Sequence, residues 1–69
     1  MKADELREKT DAELSAELAA LRDELFKLRF RHATHQLDNP MLLRKVRRDI
    51  ARVMTIQRGR ELAAAAGKN

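Results

Sequence analysis

Five leucines recur along residues 14–28 at steps of four, three, four and three, and this spacing strongly constrains the fold. At about 100° per residue in an α-helix, all five side chains fall within roughly 80° of arc. A stripe this narrow is typical of a helix that packs against another helix. The sequence therefore predicts a long helix over residues 11–34 that needs a partner. The stripe consists of Leu14, Leu18, Leu21, Leu25 and Leu28.

A second apolar stripe supplies that partner and predicts a helix from residue 40 to 58 or somewhat beyond. Asn39 followed by Pro40 is typical of a helix start, because asparagine caps the free N–H groups and proline lacks one. Two helices joined by a short connector, residues 35–39, must lie antiparallel. The predicted fold class is all-α, an antiparallel two-helix hairpin. The second stripe consists of Leu43, Val46, Ile50 and Val53.

The N-terminal segment predicts a short helical turn over residues 3–9. Thr10 and Glu13 fit a capping box, in which each side chain binds the other residue's backbone N–H. The alternative is a continuous helix through Thr10. With 69 residues the chain is expected to form a single domain over residues 1–69.

The residue inventory argues against several classes of protein. The chain has no cysteine, and it shows no phosphate loop, nucleophile motif or adjacent base for its one serine. We therefore expect no enzyme, no small-molecule substrate and no cofactor. His32 and His35 are three residues apart, but zinc needs more ligands than this pair, so no metal site is expected. No segment is apolar enough to predict a signal peptide or membrane insertion, and a cytoplasmic location is expected.

Positive charge is concentrated in the second helix. Residues 1–25 contain four basic and eight acidic residues, whereas residues 26–69 contain eleven basic and three acidic ones. The basic side chains of the second helix occupy the arc opposite its apolar stripe. A solvated helix face usually mixes both signs, so this basic ridge indicates binding to a polyanion through arginine–phosphate contacts. The basic ridge comprises Arg44, Lys45, Arg47, Arg48, Arg52 and Arg58.

The first long helix carries a second apolar face, because Phe26 and Phe30 lie more than about 100° from the leucine stripe, near Ala19. Two interpretations stay open. Residues 1–9 with Leu6 fold over part of this face, or the face contacts a partner. That partner is a protein, with Phe26, Ala19 and Leu6 as contact residues, or RNA, whose bases stack on aromatic rings.

Four segments, in order, resemble the bacterial family of large-subunit ribosomal proteins numbered twenty-nine. They are ELR at 5–7, ELFKLRF at 24–30, QLDNP at 36–40 and VRRDIARVMT at 46–55. Leucine-rich helices are weak grounds for a resemblance, whereas this ordered set at matching spacing is specific.

The resemblance implies a helical hairpin in the large ribosomal subunit, bound to 23S rRNA near the exit of the nascent-peptide tunnel. It implies the large-subunit protein numbered twenty-three as a neighbour, and trigger factor and signal recognition particle as factors that dock nearby. It also implies rRNA contacts in both helices and the connector, to which the basic ridge adds Arg44. The expected rRNA-binding residues are Arg29, Phe30, Gln36, Asn39, Arg44, Arg47, Arg48 and Arg52.

The chain departs from the family pattern in two places. His35 stands where the family usually has glycine, and a non-glycine residue adopts the required backbone shape at some energetic cost. The family pattern does not predict Gly59 and the alanine-rich tail, so residues 59–69 are assigned no function.

Other functions fit only part of the pattern. A free-standing protein–protein adaptor would explain the leucine stripe but not the ridge of one sign. A basic-zipper DNA-binding protein has its basic region before the zipper on one continuous helix, whereas here it follows and Pro40 intervenes. Membrane-surface helices use bulky Trp or Phe, which the basic segment lacks.

Overall fold

The computed structural model describes residues 2–35 and 39–67, and that part of the chain forms three helices and no strand. Helix α1 spans Ala3–Arg7, α2 spans Asp11–Ala33 and α3 spans Met41–Ala66. Helices α2 and α3 pack against each other, which confirms the predicted all-α hairpin. The molecule is elongated, with dimensions of 52 × 18 × 16 Å.

The ends of α2 are set by local side-chain chemistry. Thr10 is extended and its Oγ1 accepts from the N–H of Glu13 at 3.1 Å, while Glu13 Oε1 accepts from the N–H of Thr10 at 3.5 Å. The predicted capping box is confirmed, and a continuous helix through Thr10 is wrong. At the other end the Thr34 hydroxyl lies 3.1 Å from the carbonyl oxygens of Phe30 and Arg31 and donates to them.

Helix α3 begins at Met41, one residue after the expected start at residue 40, and ends later than its expected minimum. Asn39 Oδ1 accepts from the N–H of Met41 at 3.0 Å, and Pro40 has a helical φ of −66°. The helix then continues past residue 58 to Ala66. Gly59 disfavours helix by about 1 kcal/mol relative to alanine, but the following residues are strong helix formers.

A single row of apolar side chains forms the core between α2 and α3. The leucine stripe of α2 alternates between buried and half-buried positions, and the stripe of α3 does the same. Helix α1 contributes Leu6, which is 1% exposed. The buried apolar residues are Leu6, Leu14, Leu21, Leu28, Val46 and Val53, with Leu18, Leu25, Leu43, Ile50 and Ile56 packed against them.

The placement of α1 differs from the interpretation that residues 1–9 cover the second apolar face of α2. Helix α1 packs on α3 instead, and Arg7 borders the same surface depressions as Thr55 and Ile56. Leu6 thereby enters the core, where it loses nearly all its contact with water. The apolar face around Phe26 stays uncovered by the described residues.

Candidate nucleic-acid interface

The basic ridge of α3 is exposed along its whole length, because the apolar stripe on the opposite arc turns toward α2. Val46 and Val53 are 3% and 0% exposed, whereas all six ridge side chains are exposed. The sequence-predicted division of α3 into a buried stripe and a basic face is therefore confirmed.

Most of the ridge charge is not neutralised by the described residues. Lys45, Arg47, Arg48 and Arg58 make no ion pair with a residue in ranges 2–35 and 39–67. Arg44 lies 3.9 Å from the sulfur of Met41, and Arg52 does have an interaction partner. A row of exposed, uncompensated guanidinium groups produces a positive potential that attracts a polyanion.

Asp49 is a buried acidic residue at the edge of this ridge. It is 7% exposed and lies beside Lys45, Arg48 and Arg52 around one shallow depression. Asp49 also has an interaction partner. The sequence signal for its burial is its position three residues after Val46, at the edge of the apolar stripe.

The connector end of the hairpin collects most of the remaining expected rRNA-binding residues. Because α2 and α3 are antiparallel, Arg29 and Phe30 near the end of α2 lie at the same end as Arg44 and Arg47 near the start of α3. Arg29 is exposed and Phe30 is 63% exposed. These side chains are accessible to a common partner.

The connector itself is described in part. His35 has a φ of 60°, in the left-handed region that favours glycine, as the glycine of the family pattern implies. Asn39 uses its Oδ1 to cap α3, which leaves its side-chain NH₂ as a donor. The expected contact at Gln36 lies outside the described residues.

The residues assigned to a protein-contact face fall into two groups. Phe26 is 71% exposed, and Ala19 is also exposed. Leu6 belongs to the hydrophobic core instead, so its assignment to a contact face is corrected: a side chain packed between helices is unavailable to a partner.

The sequence did not indicate the role of Arg60, which connects the end of α3 to the N-terminal segment. Its Nη1 lies 2.8 Å from Asp11 Oδ1, and its Nη2 donates to the backbone oxygen of Arg7 at 2.9 Å. Nothing local marks this role, since the partners are 49 and 53 residues away in sequence. The charge of Arg60 is thereby used within the chain rather than offered to a ligand.

The described residues form neither a metal site nor a membrane span. Residues 2–35 and 39–67 contain no group of three or more His, Cys, Asp or Glu that is arranged to hold a metal ion. Within the same ranges, no helix combines the length and apolar character that a membrane span requires.

Comparison with protein families identifies the hairpin. The family model described as Ribosomal L29 protein matches residues 4–60, most of the chain. The chain belongs to the ribosomal L29 protein family. Membership in this family of ribosomal proteins confirms the resemblance read from the four motifs, and it confirms that the chain is not an enzyme.

Individual relatives of the ribosomal L29 family match over nearly their full length. A protein of Carboxydothermus hydrogenoformans is 70% identical over 63 residues, which cover 91% of each chain. One of Pelotomaculum thermopropionicum is 68% identical over 62 residues, covering 90% of this chain and 92% of the relative. One of a Geobacillus species is 56% identical over 68 residues, covering 99% and 100%. Each of the three is named large ribosomal subunit protein uL29.

Proposed function

We propose that this chain is a structural constituent of the large ribosomal subunit in the cytoplasm and binds 23S rRNA through its basic ridge and connector end. The observation that carries the proposal is the exposed ridge of one sign, most of which makes no ion pair with the described residues. The names of its relatives support the assignment to the large subunit. The rRNA-binding residues would be Arg29, Phe30, Gln36, Asn39, Arg44, Arg47, Arg48 and Arg52.

The mechanism follows from the shape and charge of the hairpin. Ridge arginines neutralise phosphates where rRNA helices approach one another, and each released counterion makes binding dependent on salt. The core between α2 and α3 fixes the backbone of α3, so that binding has to order the exposed arginine side chains but not the helix that carries them. The hairpin thus acts as a static scaffold.

The family resemblance extends this proposal to a location. The chain would lie near the exit of the nascent-peptide tunnel, beside the large-subunit protein numbered twenty-three. There it would help form the docking area for trigger factor and signal recognition particle.

A charge-reversal pair tests the rRNA-binding role. Arg47→Glu with Arg48→Glu is expected to release the tagged chain from large subunits at a moderate salt wash, with helical content by circular dichroism unchanged because both side chains are exposed. The matched control is Lys9→Glu with Lys27→Glu, which changes the net charge equally but at cations that already pair with Glu17 and Asp23. This control should still sediment with the large subunit in a sucrose gradient.

The other outcomes are equally informative. If the unchanged chain stays at the top of the gradient while ribosomes are intact, the ribosomal role is wrong and the protein–protein adaptor becomes the better interpretation. If both variant pairs dissociate equally, the effect comes from net charge and the ridge is not the binding surface.

A further inference from the structure

The aromatic face of α2 is an exposed strip that alternates arginine and phenylalanine. We define it as Arg22, Phe26, Arg29 and Phe30, which fall within roughly 100° of arc on one side of the helix. Phe26 and Phe30 are 71% and 63% exposed, and both arginines are exposed. Large aromatic side chains this exposed on a small protein indicate a contact surface.

The charges of this face are uncompensated. Neither Arg22 nor Arg29 forms an ion pair with a described residue. By contrast, Lys27 on another face of the same helix lies 2.9 Å from Asp23. Lys27 is therefore paired within the helix, whereas Arg22 and Arg29, beside the phenylalanines, are available to a ligand.

Helix α3 extends the face across the groove between the helices. Arg22 and Arg58 border one surface cleft, together with Met54 and Glu61. Arg58 also makes no ion pair with the described residues. One carboxylate in the cleft faces two guanidinium groups, so the cleft keeps an excess positive charge that suits a phosphate.

These observations favour RNA over a protein as the occupant. A protein that covered the phenylalanine rings would also desolvate the arginines beside them, which is unfavourable unless that protein supplies matched carboxylates. RNA brings phosphates and flat bases together, and both phenylalanine rings and guanidinium planes stack on unpaired bases.

We infer that the aromatic face is a second RNA-binding surface, which stacks unpaired rRNA bases on Phe26 and Phe30, binds their phosphates through Arg22 and Arg29, and adjoins the basic ridge at Arg58. The inference rests on the proposed function and deepens it, because it assigns RNA rather than a neighbouring protein to this face. Arg22 and Phe26 thereby become RNA contacts that lie outside both the ridge and the rRNA-binding residues proposed above.

Photocrosslinking from two positions tests the occupant. A photoreactive phenylalanine analogue replaces Phe26 or, separately, Arg48 of the ridge, and each full-length chain is rebound to large subunits stripped of this protein. Crosslinks to rRNA from both positions are the expected result. Crosslinks from position 26 to a ribosomal protein, with position 48 still reaching rRNA, would overturn this inference and leave the proposed function standing. Absence of rRNA crosslinks from both positions in bound chains would contradict both.

Affinity for the stripped subunits separates stacking from phosphate contact. Phe26→Ala is expected to weaken binding by roughly ten- to a hundredfold, the range for loss of one base–aromatic stack, while Phe26→Tyr keeps the ring and the affinity. Because position 26 is exposed, neither variant should disturb the helices.

Salt titration tests the phosphate contacts of Arg22 and Arg58. Arg22→Gln and Arg58→Gln should each reduce the slope of log affinity against log salt by about 0.7 to 0.9, the value for one phosphate contact. The control Arg7→Gln removes a cation that already pairs with Asp4 at 3.4 Å and should leave the slope unchanged. Unchanged slopes for both Arg22→Gln and Arg58→Gln would show that these arginines face water or protein.

Discussion

The backbone of His35 shows how one residue ends a helix against its own steric preference. Its φ of 60° makes it the one non-glycine residue with positive φ in the described ranges. Its N–H donates to the carbonyl oxygen of His32 at 3.1 Å, as in the left-handed turns that close helices. Left-handed backbone is unfavourable by about 1–2 kcal/mol for a residue with a Cβ, so the turn holds His35 in a strained conformation.

Replacing His35 with glycine is expected to stabilise the protein. Glycine removes the steric strain but loses more backbone entropy on folding, so His35→Gly should raise the free energy of unfolding by about 0.5–1 kcal/mol. Urea unfolding followed by circular dichroism measures this. The control is His32→Gly, inside α2, which should lower stability by about 1 kcal/mol. Equal destabilisation by both variants would mean that the His35 side chain makes contacts stronger than the strain.

At the scale of elements, the short helix α1 is held mainly by the burial of Leu6. Its five residues, Ala3–Arg7, are too few to be stable as an isolated helix. Leu6 is 1% exposed, whereas Leu62, on the solvent side of α3, is 60% exposed. Leu6→Ala should therefore lower the free energy of unfolding by about 2–3 kcal/mol, while Leu62→Ala should change it by less than about 0.5 kcal/mol.

Hydrogen exchange checks whether that loss comes from α1. In Leu6→Ala the amide protons of α1 should exchange faster than those of α2, because the anchor of the short helix is removed. If the two leucine variants are equally stable, α1 does not close the core in solution.

The elements differ in how far sequence predicts them. The capping box of Thr10 and Glu13 and the cap from Asn39 are local, since each involves residues within three positions, so the residue pattern is enough. The face that α1 covers depends on which distant surface buries Leu6 best, and periodicity within α1 carries no such information. Arg60 and its partners lie about fifty residues apart, so their meeting follows from the finished hairpin.

The candidate site likewise has one part that the sequence predicts and one part that it does not. The ridge follows from the helical repeat of charged and apolar residues in α3. The lack of ion pairs at Arg22 and Arg58 among the described residues, by contrast, depends on which acidic groups the folded helices bring near, and this required the structure.

At the scale of the whole molecule, charge is distributed unevenly along the sequence. Because the helices are antiparallel, this gives the two ends of the hairpin different charge environments. At the open end, α1, the start of α2 and the end of α3 meet. Cations there form ion pairs within the chain. Arg7 pairs with Asp4, Lys9 lies 3.9 Å from Glu17, and Arg60 pairs with Asp11. The connector end instead presents cations of both helices that make no ion pair with a described residue, including Arg29, Arg31, Lys45 and Arg47.

This polarity predicts how the hairpin is oriented on the ribosome: the connector end should lie closer to rRNA than the open end. The chain contains no cysteine, so one introduced thiol carries a tethered iron chelate at one defined place. Ser15 and Ala33 suit this, because both are exposed and, eighteen residues apart, lie on the same side of α2 about 27 Å from each other. Hydroxyl radicals from Ala33→Cys in rebound large subunits should cleave rRNA more strongly than those from Ser15→Cys. Equal cleavage would indicate a hairpin that lies flat along the RNA, and stronger cleavage from Ser15→Cys would reverse the orientation and show that the unpaired cations do not determine it.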